Sequence, residues 1–418
     1  MYVTKFLSHY LKDPSSLFLP PPEGPNSGVL VIQDEEAEPT CCFGLCKSHM
    51  ITDLPFPQNK KLTLQYSTGS GEHRHVENFY AALIPVLNQP LSSNRYYAIK
   101  TRGRHKGHCP FFINIVPYRI SSIYPDLFNL NHFFVLFLHL SRFLSLPLFL
   151  LSMVAFQPKP LDPNEMHQQF EIHSNETSCG RSGFVAKPIA PDGFLPRFLA
   201  KRGWQVHTST PRNFNLGEAL GLDTTLRARL PDFNFPLSYK SSQNVVVGMW
   251  YSPFMFIKEG TPKDQMTRSM YYEITLEQKW EQVFSCENSE SQSNVVVVDA
   301  ILQREEVLIA GMEVVDLNVV DGVMWFKSFG NGGGEVSVGL SMLVVERMKW
   351  EQKRVGWVGG NERQVALKRV EEFGGSAGEW INFGFYVLVE RFVVRRMDRS
   401  VVLTYDFKHI NQTRTKWE

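Results

Sequence analysis

The clearest pattern in this sequence is an alternation of apolar and polar residues that runs through the last third of the chain, from Asn244 to Glu418. It is sharpest from Met270 to Phe284, where even positions such as Tyr272 and Trp280 are apolar and most odd positions are polar. A period of two places successive side chains on opposite faces of a strand. The pattern therefore predicts a long strand with one buried face and one face in water.

Other apolar runs predict further strands. In the C-terminal block these are Val245–Ile257, Val295–Ile301, Val307–Val315, Val323–Phe326, Val336–Trp350, Arg363–Phe373, Ile381–Arg396 and Val401–Phe407. The last two are predicted to form a hairpin that turns at Asp398–Arg399. A turn at Gln303–Glu306 is expected between Val295–Ile301 and Val307–Val315.

The N-terminal part contains fewer predicted elements. Its strands are Ser27–Ile32, Leu62–Tyr66 and Asn94–Lys100. Two short helices are expected at Pro191–Trp204, ended by Gly203, and at Asn215–Leu222. The predicted fold class is α+β and β-rich, with mostly antiparallel sheets, a few short helices and an anomalous apolar helical insert.

The insert interrupts the chain between about Phe111 and Phe156 and is richest in Phe and Leu from Phe133 to Phe156. It is long enough to cross a bilayer, but Arg142 and Pro147 weaken that interpretation. A buried helix is the alternative. The sequence thus predicts four parts: an N-terminal β-containing region (1–107), the insert (108–157), a Pro-rich connecting region with short helices (158–240) and a C-terminal β-rich domain (241–418).

Composition and charge narrow the classes of partner. The 418-residue chain has 43 Lys and Arg against 42 Asp and Glu, so it has no overall field that would gather nucleic acid or an anionic membrane. A basic loop from Arg102 to Lys106 could contact phosphate, although a solvated loop is the favoured interpretation. We expect that the protein does not bind nucleic acid. A protein partner is compatible with the sequence, and membrane binding is expected only if the insert is real.

Six cysteines in a chain of this length do not form a spaced disulfide framework, which favours reduced thiols. Met1–Tyr10 lacks the continuous apolar core of a secretory signal. The expected compartment is therefore intracellular and cytoplasmic.

Several residues have metal-ligand chemistry without a recognised spacing. Cys41, Cys42, Cys46 and His49 could form a zinc site with His105, His108 and Cys109, but buried structural thiols are favoured. His73 and His75 would share one side of an extended strand, and a surface turn is the preferred interpretation. Gly330–Gly339 is glycine-rich but lacks the Gly-Lys-Ser/Thr ending of a phosphate loop. We assign no metal or cofactor residues.

Two carboxylates fall among apolar strand residues. Glu346 lies on the apolar phase of Val336–Trp350, and Glu390 is flanked by Val389 and Arg391. An inward-pointing Glu346 is either catalytic or half of a buried ion pair, and the ion pair is favoured because buried carboxylates need partners. The expected partners are Arg391, Arg395 and Arg396. No nucleophile elbow, zinc-protease motif or dinucleotide fingerprint occurs, so we assign no catalytic residue.

Several long motifs occur along the chain: Leu19–Glu38, Cys41–Cys46, Asp53–Asn59, Pro85–Tyr97, Gly103–Gly107, Val389–Phe392 and the Lys-Trp-Glu terminus. By these motifs the chain resembles the plant domain-of-unknown-function 1262 family. The resemblance excludes about His108 to Gln157, where the family has a cysteine-rich stretch leading directly to Pro-Leu-Asp-Pro-Asn. The resemblance implies that the insert is a retained intron or a mis-joined exon, and it implies no activity or ligand because the family has none established.

These observations favour a soluble intracellular plant protein that acts as a binding or interaction module. One alternative is an enzyme of unidentified class whose site lies between the two halves. Another is a membrane-associated protein anchored through Phe133–Phe156.

Overall fold

The computed structural model describes most of the chain. The described residues are 1–41, 46–69, 73–103, 106–109, 159–160, 162–175, 183–288, 294–330, 334–360, 363–375 and 379–418. Of the predicted insert, His108 and Cys109 are described, whereas its apolar stretch Phe111–Phe156 lies outside these ranges, so the structure of that stretch stays a prediction. No helix among the described ranges is both long enough and apolar enough to cross a membrane.

Strands dominate these residues. In the first half they are β1 (Tyr2–Phe6), β2 (Gly28–Ile32), β3 (Thr40–Cys41), β4 (Cys46–Lys47), β5 (Met50–Ile51), β6 (Lys61–Thr68), β7 (His75–Pro85), β8 (Arg95–Lys100), β9 (His108–Cys109), β10 (Lys159–Pro160), β11 (Gln169–Asn175), β12 (Gly183–Pro188) and β13 (Gln205–Ser209). In the second half they are β14 (Gly221–Leu222), β15 (Val245–Pro253), β16 (Ile257–Lys258), β17 (Tyr271–Glu287), β18 (Val295–Gln303), β19 (Glu305–Ile309), β20 (Met312–Glu313), β21 (Asp316–Val320), β22 (Val323–Phe329), β23 (Glu335–Ser341), β24 (Gln364–Glu372), β25 (Asn382–Arg396) and β26 (Val401–Trp417).

The α-helices in the described part are short. They are α1 (Leu7–Lys12), α2 (Thr224–Arg229), α3 (Pro262–Arg268) and α4 (Met342–Lys353). The chain divides into two compact units: unit 1 contains Met1–His9, Pro20–Ile32 and Arg212–Glu418, and unit 2 contains Tyr10–Leu19 and Gln33–Pro211. The predicted four-part division of the sequence stays a prediction.

Unit 1 is built on one large sheet. Within the described residues it has nine strands, in the order β2-β1-β15-β17-β25-β26-β19-β20, with β14 added beside β15. The pair β1–β2 is parallel, and the other pairs in this sheet are antiparallel. The long strands β17, β25 and β26 lie side by side at its centre, so residues of β25 have a neighbouring strand on both edges.

Two smaller sheets complete the β-structure of unit 1 in the described residues. One has the order β16-β23-β22-β21, and the other is the antiparallel pair β18–β24, which we call the ribbon. One face of the ribbon contributes Val298 and Leu367 to a hydrophobic cluster that also contains Phe383 and Phe385 of β25. The ribbon is therefore fixed by apolar packing.

Unit 2 contains a second antiparallel sheet, with the order β12-β11-β8-β7-β6-β13-β5 in the described residues. Its core includes the aromatic rings of Phe56, Tyr96, Phe184 and Trp204, whose side chains are almost fully buried. The Phe56 ring lies 5.0 Å from that of Phe184 in an edge-to-face arrangement. Such ring pairs add to the stabilisation from burial alone.

The β-rich, mostly antiparallel fold is confirmed, and so is the terminal hairpin of β25 and β26. The expectation of one buried and one wet face on β17 is wrong. Thr275 and Glu277 on its polar face are buried, because Arg395 donates to Thr275 Oγ1 at 2.8 Å and to Glu277 Oε1 at 2.9 Å. Polar residues at alternate positions can line a buried face when a charged partner satisfies them.

The prediction of a continuous strand over Val336–Trp350 is also wrong after Ser341, where α4 begins. The Ser341 hydroxyl accepts a hydrogen bond from the Leu343 amide, which caps the helix. Most of the residues that follow are good helix formers, and those buried recur at helical spacing, as Val344 and Met348 do. Apolar residues that alternate over only a few positions fit the period of a strand and the period of a helix, so the sequence pattern did not distinguish the two.

Other element predictions are corrected as well. No α-helix forms over Pro191–Trp204 or Asn215–Leu222, where the described residues form turns, loops and the two-residue strand β14; helix α2 begins further on, capped by the Asp223 carboxylate. The chain bends at Arg304, between β18 and β19, but the two strands pair with different partners, β18 with β24 and β19 with β26.

The turn between β25 and β26 generates a prediction. Arg399 has a left-handed backbone, with φ of +70°, a conformation that costs a non-glycine residue about 1 kcal/mol. We expect Arg399→Gly to be more stable than Arg399→Ala by about 1 kcal/mol, because both variants lose the same side-chain contacts and only glycine avoids the strain. Urea unfolding followed by tryptophan fluorescence measures the difference. Equal stabilities would contradict it.

Candidate functional site

A group of charged and polar side chains is buried inside unit 1, where five elements meet. We call it the Glu390 cluster, and it consists of Arg227 on α2, Gln278 on β17, Glu351 on α4, Glu390 on β25 and His409 on β26. Each of these side chains is at least nine-tenths buried. Buried charges are rare unless they are paired, so their arrangement decides what this site can do.

Glu390 is held by donors on two sides. Arg227 binds it in bidentate fashion, with Nε donating to Oε1 at 2.8 Å and a second, shorter bond from Nη2 to Oε2. Gln278 Nε2 also donates to Oε1 at 2.8 Å. Burial alone would raise the pKa of Glu390, but the hydrogen bonds and charge of Arg227 outweigh it and the pKa is lowered. Glu390 is therefore ionised at neutral pH.

Glu351 forms the second acidic centre. Arg347, one turn earlier on α4, donates to its Oε1 at 2.6 Å, and Arg227 Nη1 lies 3.4 Å from its Oε2. Arg227 also donates to the Glu351 backbone carbonyl at 3.0 Å. Burial raises the pKa of Glu351 despite these arginines. Arg227 thus joins both carboxylates and ties α2 to α4 and β25.

His409 is neutral in this setting, because burial lowers its pKa. Its Nε2 lies 2.9 Å from the Gln352 carbonyl oxygen Oε1 and 3.9 Å from Glu390 Oε2. Since both neighbours are acceptors, the proton of the neutral ring belongs on Nε2. Nδ1 then has a free lone pair, and it is buried without a hydrogen-bond partner.

Gln278 also has an unused acceptor. Its Nε2 donates to Glu390 and to the Arg227 carbonyl at 3.2 Å, whereas its Oε1 is buried without a partner. Gln278, Glu390 and His409 line one cavity of about 350 Å³. The rest of its wall includes Leu222, Leu388 and Arg354, of which Arg354 is about 29% exposed. The wall of the cavity is therefore partly apolar, and two of its side chains each have a buried acceptor without a donor.

The sequence singled out Glu390 as a charge among apolar residues but expected the buried ion pair at Glu346. In the structure Glu390 forms a buried pair with Arg227, and the three proposed arginine partners bind elsewhere. Arg391 pairs with Asp406, Arg395 with Glu277 and Arg396 with Glu259. The prediction that Glu346 points inward is wrong, because on helix α4 its side chain is exposed and accepts from Asn26 Nδ2 at 3.2 Å.

Glu351, Arg227, Gln278 and His409 were not predicted. An i, i+4 Arg-Glu pair at 347 and 351 is a recognisable signal only if α4 is first identified as a helix. The other three lie far apart in sequence and meet only through the sheet.

The residues with metal-ligand chemistry are dispersed in the described structure. Cys41 and Cys46 face each other across the β3–β4 pair, while Cys42 and His105 lie outside the described residues. His49 is described, and its carbonyl accepts from the Thr208 amide at 2.7 Å. Within the described ranges, no group of three or more His, Cys, Asp or Glu side chains could hold a metal ion. The zinc hypothesis for the cysteines stays a prediction.

The remaining candidates are local features. His73 and His75 are both exposed, and only His75 belongs to β7. In the basic loop, the Arg102 guanidinium lies 3.7 Å from the centre of the Tyr80 ring. Gly330 and Gly334, which flank three residues outside the described ranges, join β22 to β23.

Comparison with known proteins gives a family for one part of the chain. Residues 23–111 match a protein family described as a protein of unknown function (DUF1262). No curated protein matches this sequence. Among solved structures, the crystal structure of Cry35Ab1 aligns with a TM-score of 0.43 at 10% sequence identity, covering 87% of this chain and 90% of that chain. This TM-score is too low to establish a shared fold.

The ion pair generates a stability prediction. Glu390→Gln should destabilise unit 1 by about 3–5 kcal/mol, because it leaves the Arg227 charge buried without a counter-charge. The double variant Arg227→Met/Glu390→Gln should be more stable than Glu390→Gln alone, since it removes that charge. Urea unfolding measures both. Lys327→Met, which breaks a half-exposed pair with Glu335, is the control and should change little.

The neutral histidine generates a pH prediction. Because its pKa is lower in the folded than in the unfolded state, the unfolded chain binds the proton more readily. Stability should therefore fall as pH drops below about 6.5, by up to about 1.4 kcal/mol per pH unit from this residue. His409→Gln keeps a donor toward Gln352 and does not titrate. A pH profile of unfolding that is unchanged in this variant would contradict the assignment.

Proposed function

We propose that this protein is a binding module whose site is the 350 Å³ cavity beside the Glu390 cluster, and that its ligand is a small polyhydroxylated molecule. The observation that carries the proposal is the pair of buried acceptors, His409 Nδ1 and Gln278 Oε1, on side chains that line one cavity. A buried acceptor without a donor costs free energy, so a ligand that donates hydrogen bonds would recover it.

The charges around the cavity further restrict the chemical class of the ligand. Among the residues that line the cavity, Arg227 and Glu390 neutralise each other, and Arg354 is the third charged side chain. Its guanidinium lies 3.4 Å from Glu23 Oε2 and 3.6 Å from Glu351 Oε2, which offsets part of its charge, so the wall offers a cation no free carboxylate. Hydroxyl groups can donate to the two acceptors and accept from Arg354, while Leu222 and Leu388 pack against carbon atoms. Ligand pockets commonly measure about 300–1,000 Å³, and this cavity lies at the small end of that range. A monosaccharide-sized polyol fits these requirements.

Binding is favoured over catalysis because the charged groups of the cluster are engaged with one another. Both carboxylates accept from arginines, and the histidine proton is directed at Gln352 and away from the cavity. The hypotheses of an enzyme with a site between the two halves and of anchoring through Phe133–Phe156 stay predictions. We also propose that the plant domain-of-unknown-function 1262 family extends beyond residues 23–111 over most of the chain, supported by motifs such as Val389–Phe392.

Calorimetric titration with three related sugars tests the site. D-glucose should bind, D-glucuronate at least as well, and D-glucosamine more weakly, because its ammonium group meets Arg354. His409→Leu should lower the affinity for D-glucose about tenfold by removing one acceptor. His167→Leu, at a histidine in unit 2, is the matched control and should leave it unchanged.

Two results would contradict the proposal. If none of the three sugars binds the folded protein, the cavity holds only water, whose molecules can satisfy buried acceptors in the same way. If D-glucosamine binds best, the charge argument is wrong.

A further inference from the structure

The ribbon formed by β18 and β24 has one face packed and one face exposed. Alternation directs Val296, Val298 and Leu302 inward, where all three are buried in the cluster that contains Phe383 and Phe385. The other face consists of five cross-strand pairs, which we call the outer face: Val297–Val370, Asp299–Lys368 and Ile301–Ala366 in the middle, with Val295–Glu372 and Gln303–Gln364 at the two ends. This face is the surface of interest.

The outer face is unusually apolar for a surface. Val297 is 65% exposed, and Ile301 and Val370 are each 70% exposed. An exposed strand face in an antiparallel sheet normally carries polar residues. Groups of exposed aliphatic side chains mark interaction sites more often than single ones do. We therefore expect this face to bind a partner.

The charges on the outer face identify the kind of partner. Its central row contains one acid and one base, Asp299 and Lys368, whose side-chain atoms lie 3.4 Å apart and which are 58% and 73% exposed. Apolar pairs occupy the rows on both sides of it. A partner surface must therefore present a central pair of opposite charges between two apolar rows, and the outer face itself has this pattern.

We propose that the outer face binds a second copy of this chain, with a two-fold axis that runs parallel to the strands. Rotation about this axis places β18 of one copy opposite β24 of the other. Each cross-strand pair keeps its position along the strands. Asp299 then meets Lys368 of the second copy, Val297 meets Val370, and Ile301 meets Ala366. An axis perpendicular to the strands would place Asp299 against Asp299, so charge selects the parallel one. Self-complementarity of this kind is what a two-fold interface requires.

The size of the face predicts a weak complex. The nine paired positions of β18 and β24 extend about 30 Å along the strands and about 10 Å across them, or about 300 Å² for each copy. Stable complexes bury about 800 Å² on each partner. The association should therefore be reversible and depend on protein concentration.

Sedimentation velocity of the full chain over a series of concentrations tests the proposal. The wild type should shift from monomer toward dimer as concentration rises, and Val297→Glu should weaken the association about tenfold or more by placing a charge in an apolar row. Val315→Glu changes another exposed valine of unit 1 outside the ribbon and should have no effect. A wild type that is monomeric throughout would overturn the proposal.

A charge exchange tests the pairing itself. Asp299→Lys alone and Lys368→Asp alone should each abolish dimers, because like charges meet across the axis. An equimolar mixture of the two variants should form heterodimers, since each positive pair then faces a negative pair. Both variants change only exposed positions, so circular dichroism should show an unchanged fold. Failure of the mixture to associate contradicts the pairing, and so does binding of phosphatidylcholine vesicles by a protein that stays monomeric.

Discussion

Glu390 carries a negative charge at a position almost completely shielded from water, in the middle of the central sheet of unit 1. Removing a carboxylate from water costs several kcal/mol, and only close partners with well-placed hydrogen bonds offset that cost. Arg227 supplies a bidentate pair and Gln278 a third donor. Because Arg227 comes from α2 and Gln278 from β17, the charge on one strand fixes the positions of two other elements.

The groups around the Arg227–Glu390 pair also need partners for their buried charges. Arg227 is itself buried, and its remaining donors are used by Glu351 on α4, which in turn needs Arg347. Each group is satisfied only while the others are in place. The cluster therefore acts as one unit that specifies how the helices pack on the sheet, a role that buried polar networks have in some proteins.

Strand β25 carries two different surfaces along its length. Near Glu390 it meets polar side chains and the cavity, whose spare acceptors on His409 and Gln278 are the basis for ligand binding. Near Phe383 and Phe385 it is apolar and supports the ribbon, whose outer face is the basis for self-association. One rigid strand thus positions both proposed binding surfaces within unit 1.

The sequence by itself determined the class of the fold and many of its strands, because the period-two pattern is a local property of the chain. It identified the β25–β26 hairpin with its turn at Asp398–Arg399, and Glu390 as a charge among apolar residues. It did not determine α4, where local alternation imitated a strand. The tertiary structure alone decided the partners of Glu390, which lie at positions 227 and 278, since folding brings together residues that no sequence spacing relates. It also decided which face of the ribbon is covered, because Val296 and Val297 are equally apolar and differ only in what packs against them.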